Sequence, residues 1–241
     1  MQIDFWSDIV CPYCGLADNR LRLALERFEH AGEVRIVHHS FQLHPDLPRE
    51  GITQRRLLEK HGISASRREQ IFAPIERAAR DEGLDPYHAL ERTLGPTDYA
   101  HELLALATDR GRGGEVWTAM FRAHFGQARE LWTREQVLDF AAEAGLDRAE
   151  AAEALRDRRY RARVDADQRE AERLGARGTP FIILDGRYAI PGAVGIDELL
   201  AAITRAWEAA HPEPRPLQFL GGAGAAACGP DGCAVPRPPA P

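Results

Sequence analysis

Phe5-Trp6-Ser7-Asp8-Ile9-Val10-Cys11-Pro12-Tyr13-Cys14 is the stretch whose reading decides the fold. Residues 2–6 read as a short strand and residues 7–10 as a turn. A helix opens at Cys11-Pro12, because proline suits the first helical turn, where its missing N–H has no partner to lose. Two cysteines placed there suit thiol chemistry. The reacting species is the thiolate, and a helix N-terminus favours it through free N–H groups and the positive end of the dipole. Cys11 is expected at the exposed end as the attacking thiol. Cys14, one turn inside, is expected to resolve a mixed disulfide. Zinc sites also use two cysteines at this spacing, but the strand-to-helix setting favours redox work.

Outward from this motif, the first helix should run through Leu16, Leu21, Leu25 and Phe28 to a stop at Gly32. Residues 33–43 read as a second strand, ended by Pro45 and Pro48. Residues 53–157 read almost entirely as helices, starting at Thr53, at Ser64 or Ser66, near Thr97-Asp98, around Val116, at Thr133 and near Arg148. Thr133-Arg134-Glu135-Gln136 matches a capping box. A long helix toward Leu174 precedes Gly178-Thr179-Pro180, the strand Phe181-Ile182-Ile183-Leu184, the hairpin turn Asp185-Gly186 and a return strand. Residues 196–208 form the last helix. The pattern predicts an α/β fold: residues 1–50 and 158–211 form one unit, residues 51–157 an all-helical insertion, and residues 212–241, rich in Pro, Gly and Ala, a flexible tail.

Of the 241 residues, 44% are hydrophobic and 28% charged, an ordinary globular composition. The formal net charge of -6 argues against a nucleic-acid binder, which would show a basic footprint. The N-terminus lacks the pattern of a signal peptide, and no stretch approaches the roughly 18 apolar residues of a membrane span. A cytoplasmic protein is therefore expected. The four cysteines form two close pairs, Cys11 with Cys14 and Cys228 with Cys233, which suits redox or metal work better than a structural disulfide framework.

These stretches resemble the DsbA family, specifically its FrnE-like branch. Phe5-Trp6-Ser7-Asp8 before the cysteines is similar to it. So are Phe41-Gln42-Leu43-His44-Pro45-Asp46-Leu47-Pro48, Tyr99-Ala100-His101, Ala123-His124-Phe125, Gly145-Leu146-Asp147, Gly178-Thr179-Pro180-Phe181 and Tyr188-Ala189-Ile190-Pro191-Gly192-Ala193. The resemblance covers roughly residues 1–205. It implies a thioredoxin fold with an inserted helical domain, and thiol–disulfide exchange on protein substrates, with isomerisation as a variant. It makes Thr179-Pro180 a cis-proline loop that, with Pro12 and Tyr13, binds substrate. The branch carries a C-terminal cysteine pair, so Cys228 and Cys233 are candidates for a redox relay; a metal site or no role are the alternatives. Pro12-Tyr13 departs from the Pro-His of strongly oxidising members, which leaves the potential open over about -270 to -120 mV.

Other residues carry weaker signals. Asp8 is read as a turn cap before a proton acceptor. His38, His39 and His44 are read as solvated or satisfied, and His101, Glu102 and His124 as facing the helical core or solvent. Trp117, Phe121 and Phe125 have core spacing. No cofactor or metal is expected beyond the redox-active cysteines, with glutathione a candidate co-substrate. The expected state is a monomer or homodimer with no nucleic-acid or membrane partner. Two alternatives stand beside the oxidoreductase: a glutathione-dependent isomerase or transferase of the kappa or hydroxychromene-carboxylate type, which retention of both cysteines disfavours, and a chaperone or metal-binding protein.

Overall fold

The computed structural model describes residues 1–212 and, beyond them, the backbone of two short strands, Cys228–Gly229 and Gly232–Cys233. The chain runs β1 (Gln2–Ser7), α1 (Pro12–Glu26), β2 (Arg35–Ser40), β3 (Ile52–Thr53), α2 (Gln54–Lys60), α3 (Ala65–Asp81) and β4 (Thr93–Leu94). It continues with α4 (Asp98–Asp109), α5 (Gly113–Phe121), α6 (Arg134–Glu143), α7 (Arg148–Arg156), α8 (Arg161–Arg173), β5 (Phe181–Leu184), β6 (Tyr188–Pro191) and α9 (Ile196–Ala210). The main sheet has the order β2-β1-β5-β6. β1 pairs in parallel with β2 and antiparallel with β5, and β5 pairs antiparallel with β6. This is the mixed sheet and helical complement of an α/β protein.

Alternation along β1 sets what each face meets, because successive side chains point to opposite sides of a strand. Ile3 and Phe5 join Leu21 and Ala24 of α1 and Leu199, Ile203 and Trp207 of α9. Trp6 points the other way and packs with Phe41, Phe181 and Ala171 of α8. The helical segment between β2 and α8 has a core of its own that reaches the first turn of α1: Ile9, Val10, Cys11, Cys14 and Leu16 cluster with Leu103, Trp117, Phe121, Phe125 and Trp132. Residues Met1–Ala210 form one compact unit.

Local signals set most boundaries. Thr53 caps α2, Ser64 caps α3, Asp147 caps α7, and Thr133 with Gln136 closes a capping box at α6. Three expectations change. The second strand is shorter than residues 33–43: Ala31–Glu33 form a 3₁₀ turn, and after Phe41, whose N–H still donates to the Ser7 carbonyl, the next two backbone donors go to side chains. Gln42 N–H donates to Gln168 Oε1 and Leu43 N–H to Asp8 Oδ2. Helix α1 ends at Glu26 rather than running to Gly32, and Phe28 leaves it to meet Trp207 edge-on, with ring centroids 5.8 Å apart. The helical block also holds the antiparallel β3–β4 pair, Ile52 opposite Leu94, and a non-helical stretch from 82 to 97, where Gly83, Pro86, Gly95 and Pro96 break helical continuity. The reading of residues 212–241 as flexible lies outside the described residues, apart from the backbone pairing of Cys228 with Cys233.

A charged residue ties the sheet to α8. His39 Nε2 meets Asp4 Oδ1 at 2.9 Å, its Nδ1 meets Asp167 Oδ1 at 3.2 Å, and its ring stacks on Trp6 at 4.3 Å. Burial lowers its pKa, but the hydrogen bonds it donates to Asp167 and Asp4 outweigh that and raise it to about 9. A raised histidine pKa stabilises the fold fully below its unfolded value of about 6.5, and that contribution is lost as pH rises through the folded value. Wild type should therefore lose on the order of 3 kcal/mol of this network's stability between pH about 6.5 and 9. His39→Gln should remove that slope in urea titrations at a series of pH values, and equal slopes in the two proteins would refute the assignment.

Candidate active site

Cys11 is the N-cap of α1, with φ -83° and ψ 113°, and Pro12 opens the helix. The Asp8 carbonyl accepts the Cys11 N–H at 3.1 Å and closes the turn, and the Cys11 carbonyl accepts the Cys14 N–H at 2.9 Å. Both thiols are free. Across from them the Thr179–Pro180 peptide is cis, and Cys11 Sγ lies 3.4 Å from the Thr179 carbonyl oxygen. The structure thus brings Cys11, Cys14, Thr179 and Pro180 to one place, with Tyr13 exposed beside them.

Burial corrects one expectation. Cys11 is 5% exposed and Cys14 0%. Cys11 is the more accessible of the two, yet it sits beneath the Thr179 carbonyl and within the apolar cluster rather than at an open helix end. The two thiols are driven apart electrostatically. Cys11 is lowered from the ordinary thiol value, first by the thiol of Cys14, then by Thr179 and by the Cys14 N–H; burial and the Asp8 carboxylate oppose this. Cys14 is pushed well up by burial and by its neighbour Cys11. A thiol held below its ordinary pKa beside one pushed above it is the asymmetry that attack followed by resolution requires.

Asp8 does not cap the turn with its side chain. Its carboxylate is fully buried, accepts the Leu43 N–H at 2.6 Å and meets His101 Nε2 at 3.3 Å. Burial alone would raise its pKa, but the hydrogen bonds and charge of His101 and the Leu43 N–H hold it below the usual carboxylate value. His101 and His124 are both fully buried, which places them on the core side of the two settings expected, core or solvent. Glu102 is buried too and pairs with Arg158 at 2.7 Å. His38 is satisfied by Asp18 at 3.2 Å, and Asp18 also accepts from Thr118 at 2.8 Å. The side chains of Cys228 and Cys233 lie outside the described residues.

Two residues that the sequence did not single out touch the motif. Tyr87 Oη donates to the Pro12 carbonyl at 2.5 Å, and its ring stacks on Phe125 at 4.7 Å. Arg92, also buried, donates to the Val10 carbonyl at 2.6 Å. Neither sits at a spacing that links it to Cys11, and only the packing of residues 87–92 under α1 reveals them. Near this contact, Gly15, Asp18, Tyr87, Phe121 and Phe125 line a cavity of about 280 Å³. A groove of about 290 Å³ runs along Gly175–Phe181 with Pro191 and Gly192.

A model of the DSBA-like thioredoxin domain matches residues 2–204. The chain is similar to a probable DsbA oxidoreductase of Streptomyces coelicolor, with 37% identity over 98% of this chain and 100% of that one, at a TM-score of 0.81. It shares its fold with a 2-hydroxychromene-2-carboxylate isomerase (16% identity, 88% and 98% of the two chains, TM-score 0.67) and with the cytosolic disulfide reductase DsbM of Pseudomonas aeruginosa (19%, 87% and 100%, 0.60). No curated protein matches the chain. Among the described residues, no helix is long and apolar enough to cross a membrane.

Gly15 follows the motif because nothing larger fits. A Cβ there would lie 2.6 Å from Tyr87 Oη and 3.0 Å from Phe125 Cδ2. Alanine would gain about 1 kcal/mol in helix propensity, whereas overpacking costs about 1–3 kcal/mol. Gly15→Ala should therefore lower the urea midpoint, and by less in a Tyr87→Phe background, where the clashing hydroxyl is gone. An unchanged or raised midpoint would contradict this packing.

Proposed function

The chain belongs to the DSBA-like thioredoxin family, and from that premise we propose that it is a protein thiol–disulfide oxidoreductase working through Cys11 and Cys14, an FrnE-like member of the family. The observation that carries this reading is the free thiol of Cys11 at the N-cap of α1, 3.4 Å from the carbonyl of a cis Thr179–Pro180 loop, with Cys14 buried one turn behind. Cys11 thiolate attacks one sulfur of a substrate disulfide. That S–S bond breaks, a mixed disulfide forms, and the departing thiolate takes a proton. Cys14 then gives up its proton and attacks Cys11 Sγ, which releases the second substrate thiol. Two electrons pass to the substrate and a Cys11–Cys14 disulfide is left; the reverse sequence oxidises a dithiol.

Pro12, Tyr13, Thr179 and Pro180 are the proposed substrate contacts. Protein thiols and disulfides are the proposed partners, glutathione the candidate small co-substrate, and the cytoplasm the proposed location. Residues 1–50 and 158–211 are proposed as the two parts of the thioredoxin-like unit around the 51–157 insertion. Both cysteines are retained, which favours dithiol exchange over a glutathione isomerase that works through one activated group.

The test is the Cys11–Cys14 reduction potential, by glutathione equilibration of full-length protein carrying Cys228→Ser and Cys233→Ser. A reversible two-electron couple between about -270 and -120 mV is expected. Cys11→Ser should abolish exchange, and Cys14→Ser should trap a mixed disulfide on Cys11. Absence of any reversible disulfide would overturn the reading.

A further inference from the structure

The carbonyls on both sides of Cys11 are held by buried donors from a single segment. Arg92 Nη2 donates to Val10 O at 2.6 Å, and Tyr87 Oη donates to Pro12 O at 2.5 Å. That segment is itself fixed. Glu76 Oε1 accepts the N–H groups of Ala89 and Leu90 at 2.8 and 3.1 Å, and the Arg92 carbonyl accepts the Gln54 N–H at 2.9 Å.

The guanidinium of Arg92 is held on every side. Its Nη1 donates to the Ala89 carbonyl, its Nε donates to His124 Nε2 at 3.1 Å, and it lies over the Phe125 ring at 5.0 Å. His124 Nδ1 in turn donates to the Arg129 carbonyl at 2.9 Å, which leaves Nε2 as the acceptor. Burial, helped by Arg92, brings His124 down to about 3, so it is neutral. Burial brings Arg92 only to about 10, so it keeps its charge through the neutral range. The titratable and charged groups facing Cys11 are Cys14, Asp8, Tyr87 and Arg92, with His101 behind Asp8 and His124 behind Arg92.

This arrangement matters for a sulfur that must carry negative charge. A bare carbonyl dipole turned toward a thiolate repels it, and in a poorly solvated site water cannot screen the repulsion. A donor on each carbonyl offsets that, and here one donor is a cation that interacts favourably with negative charge on Cys11. We propose that Tyr87 and Arg92 are positioning residues of the redox centre, which clamp the Val10 and Pro12 carbonyls about Cys11 and favour its thiolate. The role rests on the thiol-exchange reading and deepens it: the helical segment, not only the α1 terminus, sets how reactive Cys11 is.

The test uses full-length protein with Cys228→Ser and Cys233→Ser, comparing Tyr87→Phe, Arg92→Lys and Arg92→Met. The first readout is the pH dependence of iodoacetamide alkylation at Cys11, located by mass spectrometry. Tyr87→Phe and Arg92→Met should raise the midpoint, leaving about threefold to tenfold less thiolate at a given pH. Arg92→Lys, which keeps the charge, should fall between wild type and Arg92→Met. Because the reduced form loses stability, the same variants should shift the glutathione equilibrium toward the Cys11–Cys14 disulfide by a similar factor. If Tyr87→Phe and Arg92→Lys melt like wild type and leave both readouts unchanged, the clamp is refuted, and those two variants decide the matter even where Arg92→Met fails to fold. If wild type forms no reversible disulfide, the exchange reading fails, while the alkylation profile still decides the clamp.

Discussion

The antiparallel pairing of β1 with β5 is the contact on which the site depends. Trp6 stands opposite Phe181, so the end of β1 that leads into Cys11 lies beside the start of β5, just after Thr179 and Pro180. A separation of 168 residues along the chain becomes 3.4 Å between Cys11 Sγ and the Thr179 carbonyl. A register slip of one residue would turn Ile3 and Phe5 away from α1 and α9, so the hydrophobic pattern that builds the core also fixes the geometry of the thiols.

Around that contact the protein buries charged groups. Asp8 and Arg92 approach the motif from different elements, and each is held by a histidine from the helical segment, His101 and His124 respectively. Buried charges are tolerable only when their polar atoms find partners: Asp8 meets His101 and the Leu43 N–H, and Arg92 donates to the carbonyls of Val10 and Ala89 and to His124. The helical segment therefore does more than cover one side of the sheet. Through α4 and the turn after α5 it supplies the partners that let charged groups stand next to a thiol pair without water.

Much of the architecture is legible in the sequence because it is written in local rules. Thr53, Ser64, Thr133 and Asp147 start helices by capping, Asp185-Gly186 turns the hairpin, and Pro12 opens α1. The cysteine pair is legible for the same reason, as a short motif at a strand-to-helix junction, whereas the cis-proline loop is legible only through the family resemblance. What was not legible depends on contacts between distant segments. The burial of Cys11 comes from the Thr179 carbonyl above it, Asp8 is drawn from the turn by Leu43 and His101, and the donors of Tyr87 and Arg92 reach α1 only once residues 82–97 leave helical form. No periodicity marks such residues, since a lone tyrosine and arginine after a proline look like any loop.

The burial of Cys11 and the reaction proposed for it fit together once the opposite wall is considered. The groove beside the thiols is lined along Gly175–Phe181 by a stretch with two glycines, and by Pro191 and Gly192. Gly175, Gly178 and Gly192 leave room between Arg177 and Phe181, so on the proposed function an extended substrate backbone would lie close to the Thr179–Pro180 loop. On the proposed function, the substrate need not find an exposed thiol; it lays its own disulfide against a sulfur held still from below by the carbonyl clamp and from the side by the loop. A fixed nucleophile loses little entropy on reaction. Burial opposes charge on both sulfurs: at Cys11 the thiol of Cys14, the contact with Thr179 and the Cys14 N–H outweigh it and lower the pKa, whereas at Cys14 the neighbouring Cys11 adds to it and the pKa rises.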